Sequence, residues 1–428
     1  MIKTLSSTKQ VRGEVRVPGD KSVSHRAAIF GGVAHGTTRI SGFLQAHDTQ
    51  ATLSCLRELG VSVREENEQI VVEGRGFEGL RAPNRVLDCG NSGTTMRLLL
   101  GVLAGCPFET TLGGDASLSR RPMDRVRIPL SQMGADVRGQ GDKNTPPLTV
   151  CGGNLAGIEY AMPVASAQVK SAILLAGLQA RGTTTVIEPT PARDHTERML
   201  RAFGVEVVQD GARVSVEGGA QLQATKVQVP GDISSAAFFF VAGALREDFQ
   251  VRVLDVGVNP TRTGVLDVLQ AMGANIEISN ERESGGELVA DVTVRGGHLQ
   301  ATEIGGALIP RLIDELPVLA LLATQCEGTT VIRDAQEMRV KESDRIAIIA
   351  QELRKLGANI EEQPDGMTIS GPTKLVGATV TSPAGDHRIA MTLAIASLLA
   401  EGETVLENAH AVTSSFPDFF DLLDEVRA

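Results

Sequence analysis

The chain has 428 residues and a formal net charge of −11 at pH 7, with 42% hydrophobic residues but only 3% aromatic ones. That length suffices for about two or three domains with aliphatic cores, and the acidic charge disfavours nucleic acid or an anionic membrane as a partner. Five scattered cysteines without a C-x-x-C pair give no metal signature. Together with the lack of a signal peptide or a membrane-length apolar run, they predict a soluble, cytoplasmic protein.

The first predicted elements are two short strands, residues 2–5 and 11–17, which have no helix of their own. They lead into the turn Val17-Pro18-Gly19-Asp20, which returns as Val229-Pro230-Gly231-Asp232 after about half the chain length. Because Pro and Gly fix the same backbone turn twice, the repeat predicts a duplicated architecture.

A weaker repeat runs between the turns. One half of the unit is a helix that is apolar all round, which is typical of a buried helix. These helices are predicted at residues 27–34, 98–104, 172–178, 236–245, 316–323 and 389–400. The other half is an amphipathic helix that ends at a glycine and leads into two strands. The capping glycines are Gly60, Gly134, Gly204, Gly273 and Gly357.

Six apolar helices but only five complete helix–strand–strand halves leave one unit unfinished, since the final helix, 416–426, has no strands behind it. We therefore expect the N-terminal strands to complete the sixth unit. Domain 1 then comprises residues 1–20 and 231–428 and domain 2 residues 21–230, with two crossovers at the two repeated turns. An open solenoid is the alternative, which would need capping units and no return to the first turn.

Basic residues gather at the starts of the apolar helices and in nearby loops. They include Lys21, Arg26, Arg97, Arg120, Arg121, Lys170, Lys341, Arg345 and Arg388. Helix N-termini bind phosphates and carboxylates, and arginine adds bidentate geometry for the same groups. The pattern predicts that the cleft between the domains binds small polyanionic molecules and holds the active site.

Structural roles compete with this interpretation. Residues 341–345 could form a solvated first helical turn with ordinary ion pairs, and Ser22 could be a helix N-cap. Arg97 could equally be an ion-pair partner, and His25 and His387 could be local hydrogen-bonding residues.

Seven motifs follow one another in order along nearly the whole chain. They are 18–26 (PGDKSVSHR), 90–94 (GNSGT), 121–123 (RPM), 166–171 (SAQVKS), 193–197 (RDHTE), 339–345 (RVKESDR) and 386–388 (DHR). In these motifs the chain resembles the 5-enolpyruvylshikimate-3-phosphate synthase family. The resemblance implies an α/β (α+β) fold: a two-domain inside-out α/β barrel with three βαβαββ units in each domain and two crossovers.

The resemblance also implies a reaction. An enolpyruvyl group passes from phosphoenolpyruvate to the 5-hydroxyl of shikimate 3-phosphate, and phosphate leaves after a tetrahedral intermediate; a monomer without cofactor or metal is implied. The residues expected to bind shikimate 3-phosphate are Lys21, Ser22, Arg26, Ser166, Ala167, Gln168, Arg193, Asp314 and Lys341. Those expected to bind phosphoenolpyruvate are Lys21, Asn91, Gly93, Arg121, Gln168, Arg345 and Arg388.

The expected catalytic groups are Glu342 together with Asp314 and Lys21 from these sets. Glu342 would protonate the methylene carbon of phosphoenolpyruvate, Asp314 would take the proton of the attacking hydroxyl, and Lys21 would stabilise or protonate the departing phosphate. Because Glu315 follows Asp314 directly, the sequence leaves open which of the two carboxylates faces the cleft.

The chain departs from the family pattern at two positions. Leu98 stands where many members have proline, and Ser414 stands where many have lysine; both resemble the subgroup that tolerates the inhibitor glyphosate. Gly93, in contrast, is associated with sensitivity, so this property stays open. The rival readings are a sister enzyme that acts on UDP-N-acetylglucosamine, whose loop cysteine corresponds to Ala116 here, and a non-catalytic scaffold that binds anionic metabolites.

Overall fold

The structure is a computed structural model that describes residues 1–383 and 386–427. The chain forms two compact units. Unit 1 comprises Met1–Pro18, Pro230–Arg282 and Leu288–Ala428, and unit 2 comprises Gly19–Val229 and Glu283–Glu287. The segment Glu283–Glu287 therefore groups with unit 2 although the chain on both sides of it belongs to unit 1, which no sequence feature had indicated.

The elements alternate between strands and helices along the chain. The helices are α1 (Lys21–Val33), α2 (His47–Glu58), α3 (Gly93–Leu103), α4 (Asp124–Met133), α5 (Ala167–Gly177), α6 (His195–Ala202), α7 (Ile233–Ala244), α8 (Gly264–Ala271), α9 (Ile309–Leu312), α10 (Leu316–Ala323), α11 (Arg345–Lys355), α12 (His387–Ala396) and α13 (Phe419–Val426). Within the described ranges, no helix has both the length and the apolar character needed to cross a membrane.

The strands are short. In chain order they are β1 (Lys3–Ser6), β2 (Arg12–Val15), β3 (His35–Ser41), β4 (Ser62–Glu66), β5 (Gln69–Arg75), β6 (Leu87–Asp88), β7 (Glu109–Gly113), β8 (Asp136–Gln140), β9 (Thr145–Cys151), β10 (Glu159–Ala161), β11 (Thr183–Ile187), β12 (Val207–Asp210), β13 (Arg213–Glu217), β14 (Lys226–Gln228), β15 (Gln250–Gly257), β16 (Asn275–Ser284), β17 (Glu287–Arg295), β18 (Glu303–Ile304), β19 (Gly328–Ile332), β20 (Asn359–Gln363), β21 (Gly366–Gly371), β22 (Thr379–Thr381) and β23 (Glu403–Glu407).

These strands form sheets with one recurring pattern, as the internal repeat predicts. A short strand pairs in parallel with a second strand, the second pairs antiparallel with a third, and the third pairs with a fourth. In unit 2 the orders are β14-β3-β5-β4, β6-β7-β9-β8 and β10-β11-β13-β12. In unit 1 they are β2-β15-β17-β16, β18-β19-β21-β20 and the three-stranded β22-β23-β1.

The expectation that both N-terminal strands complete the sixth unit is only half right. Strand β1 does so, because it pairs antiparallel with β23. Strand β2 instead pairs in parallel with β15. The reason is that Pro230 leads almost directly into α7, so the sheet around β15 has no leading strand of its own and takes β2 in that place.

The six apolar helices are α1, α3, α5, α7, α10 and α12, and their apolar side chains are buried as predicted. Most begin earlier than their apolar runs, because the polar residues before each run are already helical. Two ends were predicted wrongly: α12 stops at Ala396 rather than at residue 400, and α13 begins at Phe419 rather than at 416.

The amphipathic helices end as predicted, since the five glycines after them all have positive φ angles. The angles are +86° at Gly60, +112° at Gly134, +83° at Gly204, +96° at Gly273 and +98° at Gly357. A left-handed residue after the last helical turn satisfies its carbonyls and turns the chain toward the next strand, and glycine adopts this conformation without strain.

Helices α3 and α5 pack with their backbones close together at Gly101. A methyl group at Gly101 would lie 2.3 Å from the carbonyl oxygen of Ala172 and 2.7 Å from its Cα. Both are backbone atoms, so the helices would have to move apart. Gly32 in α1 is different, because a methyl group there would meet only the end of the Leu56 side chain, at 3.0 Å.

We therefore predict that Gly101→Ala destabilises the protein by about 1–3 kcal/mol, the usual cost of overpacking a core. Gly32→Ala is the matched control, and the helix propensity gained there, about 0.5–1 kcal/mol, should offset its milder contact. Urea unfolding monitored by circular dichroism measures both. Equal stabilities of the two variants would show that the α3–α5 contact does not require glycine.

Candidate active site

In unit 2, the first helix start is built around Asp20. Its side chain accepts a hydrogen bond from the Val23 amide at 2.9 Å and so caps α1. The suggestion that Ser22 is the cap is therefore wrong: the helix begins at Lys21, and the cap is the residue before it. Ser22 lies in the first turn, with its hydroxyl outside the cap, and its carbonyl accepts a hydrogen bond from Arg26.

Arg26 joins α1 to two other helices. Its Nε donates to Thr196 Oγ1 of α6 at 2.7 Å, and its Nη2 donates to Ser171 Oγ of α5 at 2.8 Å. Burial lowers the pKa of Arg26 to about 10, although the carboxylate of Glu197 opposes this shift, and the positive charge of Arg193 adds to it. Arg26 is therefore still charged at neutral pH, with a second cation, Arg193, in its vicinity.

Lys21 has a carboxylate partner that the sequence analysis missed. Its Nζ lies 3.2 Å from Asp48 Oδ2, and both side chains are mostly buried. Asp48 stands in the first turn of α2, where an acidic residue is expected simply to favour the positive end of the helix dipole. The sequence therefore gave no reason to place it at the site.

His25 is a local hydrogen-bonding residue, as the structural alternative had it. Its Nδ1 lies 2.7 Å from Thr52 Oγ1, which lies 2.7 Å from Thr95 Oγ1 at the start of α3. Burial, together with the charges of Lys21 and Arg26, lowers the pKa of His25 well below its usual value. The imidazole is therefore neutral at physiological pH.

The start of α3 brings two guanidinium groups together around Gly93. Ser92 caps the helix by accepting from the Thr95 amide, and Gly93 is its first residue. A methyl group at Gly93 would lie 2.8 Å from Arg97 Nη1 and 3.2 Å from Arg121 Nη1. Only a residue without a side chain leaves both groups in place above the helix start.

Arg121 is held by an amide rather than by an acid. Its Nη2 donates to Asn91 Oδ1 at 2.7 Å, and Asn91 in turn donates to Asp115 Oδ2 at 2.6 Å. The Nε of Arg121 is buried and has no hydrogen-bond partner within the described ranges. Because buried donors are nearly always paired, an unsatisfied N–H on a buried cation points to an anionic ligand.

The start of α5 contacts that of α3 through Gln168. Its Oε1 accepts from Arg97 Nη1 at 2.5 Å, and its Nε2 donates to Thr94 Oγ1 at 2.7 Å. Ser166 caps α5, and Ala167 is its first residue. The bonds of Gln168 thus connect α3 with α5, as those of Arg26 connect α1 with α5 and α6.

Lys170 does not belong to the anion-binding cations with which the sequence analysis grouped it. It is fully buried, and its Nζ lies 3.0 Å from Glu188 and 2.5 Å from Glu197. Two carboxylates already neutralise its charge, so it is not available to a ligand.

In unit 1, Arg345 is the centre of a cluster of carboxylates. Its Nε lies 3.1 Å from Asp386 Oδ2, its Nη2 lies 2.7 Å from Glu342 Oε2, and its Nη1 lies 3.6 Å from Asp314 Oδ1. Burial would lower the pKa of Arg345, but the three carboxylates outweigh it and raise that pKa. Arg345 is 1% exposed, so the alternative of a solvated helical turn is wrong.

Asp314 and Glu315 point to different surroundings. Asp314 lies 3.4 Å from Lys341 Nζ in addition to its contact with Arg345. Glu315 is buried and accepts a hydrogen bond from the Ser234 hydroxyl. Asp314 is therefore the carboxylate that lies with Lys341 and Arg345.

Arg388 stands in the first turn of α12, which Asp386 caps. It is buried, and its guanidinium makes no hydrogen bond or ion pair with the residues in 1–383 and 386–427. It thus differs from Arg345, whose charge is matched by neighbouring acids.

The positions that depart from the family pattern have separate environments. Leu98 is buried in the core of unit 2, and Ser414 is half-buried at the end of the 3₁₀ turn Ala409–Ser414. Ala116 is exposed beside Asp115, in the loop that leads to Arg121.

Comparison with known proteins identifies relatives over nearly the whole chain. The family model described as EPSP synthase (3-phosphoshikimate 1-carboxyvinyltransferase) matches residues 5–423. A 3-phosphoshikimate 1-carboxyvinyltransferase from Brevibacillus brevis is 53% identical over 422 residues, or 99% of each chain. One from Bacillus thuringiensis subsp. konkukian is 54% identical over 97% of each chain.

Solved structures show the same likeness. EPSP synthase from Acinetobacter baumannii matches with a TM-score of 0.88 and 46% identity, covering 100% of this chain and 98% of that one. The enolpyruvyl transferase NikO from Streptomyces tendae has a TM-score of 0.79 at 19% identity, so it shares the fold.

We predict that Gly93→Ala weakens binding of phosphoenolpyruvate without unfolding the protein. The added methyl group meets the ends of two flexible side chains, which can move, but the movement shifts both guanidinium groups. Loss of one charge-assisted hydrogen bond lowers affinity by roughly tenfold or more. Isothermal calorimetry measures the affinity, and a thermal melt checks the fold. Unchanged affinity would show that Arg97 and Arg121 do not have to lie where they do.

Proposed function

The chain belongs to the EPSP synthase family, and we propose which of its side chains carry out the reaction of that family. It catalyses transfer of the enolpyruvyl group from phosphoenolpyruvate to the 5-hydroxyl of shikimate 3-phosphate, with release of phosphate, by addition and elimination. This step of the shikimate pathway leads to the aromatic amino acids. Both substrates are phosphorylated carboxylates, which accounts for cations at helix starts in an acidic protein.

For shikimate 3-phosphate, we propose that Arg26 and Arg193 bind the phosphate group from unit 2. The effect of Arg193 on the pKa of Arg26 shows that the two cations are near one another, and a dianion between them would relieve their repulsion. Further contacts come from Lys21, Ser22, Ser166, Ala167 and Gln168 in the same unit. Asp314 and Lys341 contribute from unit 1.

For phosphoenolpyruvate, we propose that Arg121 binds the phosphate. Its buried Nε, without a partner in the described residues, is the observation that supports this role best. Lys21, Asn91, Gly93 and Gln168 complete this group. Arg388, whose charge no described carboxylate matches, binds the carboxylate of the same substrate. We propose that Arg345 binds that carboxylate together with Arg388.

We assign the acid and base chemistry to Asp314 and Glu342, two carboxylates that lie near the same Arg345 guanidinium. In the addition step, Asp314 takes the proton of the 5-hydroxyl as its oxygen attacks C2 of phosphoenolpyruvate, and Glu342 gives a proton to C3. In the elimination step, C3 returns its proton to Glu342, the C2–O bond to phosphate breaks, and Lys21 stabilises or protonates the departing phosphate. The proton that Asp314 accepted leaves through solvent and balances the one that the phosphate takes up. Lys341 lies 3.4 Å from Asp314 and places a positive charge beside the carboxylate that is proposed to accept the proton.

Glu342 must hold a proton before it can act as an acid, yet it is ion-paired with Arg345 at 2.7 Å. We propose that the substrate resolves this conflict. When the carboxylate of phosphoenolpyruvate takes up part of the positive charge of Arg345 and adds a negative charge of its own, the pKa of Glu342 rises. Protonation of Glu342 would then depend on the substrate being bound.

We further propose that the protein acts in the cytoplasm as a monomer. All five cysteines are free thiols, as is usual in a reducing compartment. Size-exclusion chromatography with light scattering tests the monomer directly.

Phosphate release tests the function as a whole. We expect the purified protein to release phosphate only when phosphoenolpyruvate and shikimate 3-phosphate are both present. Each substrate alone is the control. Release from phosphoenolpyruvate alone would indicate a phosphatase instead, and release with UDP-N-acetylglucosamine as acceptor would indicate the sister reaction.

We predict that Glu342→Gln binds shikimate 3-phosphate normally in calorimetry but loses turnover. General acid–base catalysis typically contributes about 10²–10⁴-fold, so kcat should fall by roughly that factor. Glu361→Gln, which changes an exposed carboxylate on β20 in the same unit, is the matched control and should retain full activity. Normal turnover of the Glu342 variant would remove this residue from its proposed role.

A further inference from the structure

We propose that Lys170 is a positioning residue for shikimate 3-phosphate: it fixes the segment that carries Arg193. The inference rests on the proposed role of Arg193 as a ligand of that substrate. Lys170 is fully buried in unit 2, and its ammonium group is paired with two carboxylates, so we assign it a role through Arg193 and not on the substrate itself.

Lys170 contacts three acceptors. Its Nζ lies 3.0 Å from Glu188 Oε2, 2.5 Å from Glu197 Oε1 and 3.5 Å from the carbonyl oxygen of Ala192. The contacts with Glu188 and Ala192 are hydrogen bonds, and the contact with Glu197 is an ion pair. The side chain is 0% exposed, so its position is set by these contacts rather than by solvent.

The acceptors lie on both sides of Arg193. Ala192 directly precedes it, and the amide of Ala192 donates to Glu188 Oε1 at 3.0 Å. Glu197 lies in the first turn of α6, one turn after Arg193. Lys170 therefore ties the end of β11, the residue before Arg193 and the start of α6 to a single point on α5.

The next residue of α5 extends this connection to Arg26. Ser171 Oγ lies 2.6 Å from Thr196 Oγ1, and both oxygens accept hydrogen bonds from the Arg26 guanidinium. Two adjacent residues of α5 thus hold the start of α6, one through an ion pair and one through a hydroxyl. Arg26 and Arg193 are positioned against the same helix turn.

The charges of the group explain why a lysine is needed there. Burial raises the pKa of Glu188, and the charge of Lys170 opposes that rise. Without Lys170, two buried carboxylates would face each other with no cation between them, and the segment around Arg193 would rearrange to hydrate or separate them. The loss would appear as weaker substrate binding, since Arg193 would no longer be held in place.

Steady-state kinetics of Lys170→Met tests the proposal. We expect the KM for shikimate 3-phosphate to rise by about tenfold or more, as for loss of one charge-assisted hydrogen bond. The KM for phosphoenolpyruvate and kcat should stay within about threefold of the native values. Arg121 and Glu342, on which these constants depend in the proposal, are held by Asn91 and Arg345 and not by Lys170. An unchanged KM for shikimate 3-phosphate would overturn the proposal.

Two further variants test whether the change in KM comes from lost positioning of Arg193, from altered charge or from lost stability. Lys170→Met combined with Glu197→Gln has the same net charge as the native group, so recovery of a normal KM would show a charge effect and overturn the positioning role. Val150→Ala, a core change in β9 of the same unit, controls for lost stability and should leave both KM values unchanged. If Lys170→Met does not fold, Glu188→Gln should show the same selective rise in KM to a smaller extent, and no rise would count against the proposal.

Arg193→Gln distinguishes failure of this inference from failure of the proposed function. If that variant binds shikimate 3-phosphate normally, Arg193 is not a ligand and the proposed function is wrong at this residue. If Arg193→Gln raises the KM and Lys170→Met does not, Arg193 is a ligand but Lys170 does not position it.

Discussion

The structure depends on one electrostatic constraint: a cation can be buried beside an apolar helix only if other charges or dipoles match it. Arg345 meets this constraint with three carboxylates, and Lys170 meets it with two. Arg121 and Arg388 do not meet it within the described residues, where one is held by an amide and the other makes no ion pair. Cations whose charge is already matched support the site, and those whose charge is not matched are the groups that an anionic substrate can satisfy.

The same constraint assigns different tasks to neighbouring carboxylates. Asp386 both caps α12 and binds Arg345, so it holds two elements of unit 1 together. Asp314 and Glu342 contact the same guanidinium but are partly exposed, which leaves them accessible to a substrate. An arriving carboxylate must compete with them for Arg345. In the proposed mechanism, binding and proton transfer are thereby linked through the charge of Arg345.

The repeated unit explains why so many ligands come from helix starts. In unit 2 the first two turns of α1, α3 and α5 are connected by side-chain hydrogen bonds, from Arg26 to Ser171 and from Gln168 to Thr94. Close packing at Gly101 allows α3 and α5 to approach each other. The dipoles of the three helices add to the charges of the arginines, so a weakly specific feature, a helix N-terminus, becomes specific when it is repeated.

The sequence alone determined the sixfold repeat, the buried helices, the capping glycines and the family, because apolar periodicity, turn residues and ordered motifs are local properties of the chain. It also gave the expected ligands, whose roles are still proposals. Only the tertiary structure decided that β2 joins β15 and that Asp48 lies beside Lys21. It also decided that Lys170 is a neutralised structural cation. These outcomes depend on which residues from distant parts of the chain meet. The sequence shows that a residue is charged but not whether its partner is a carboxylate of the protein or a substrate.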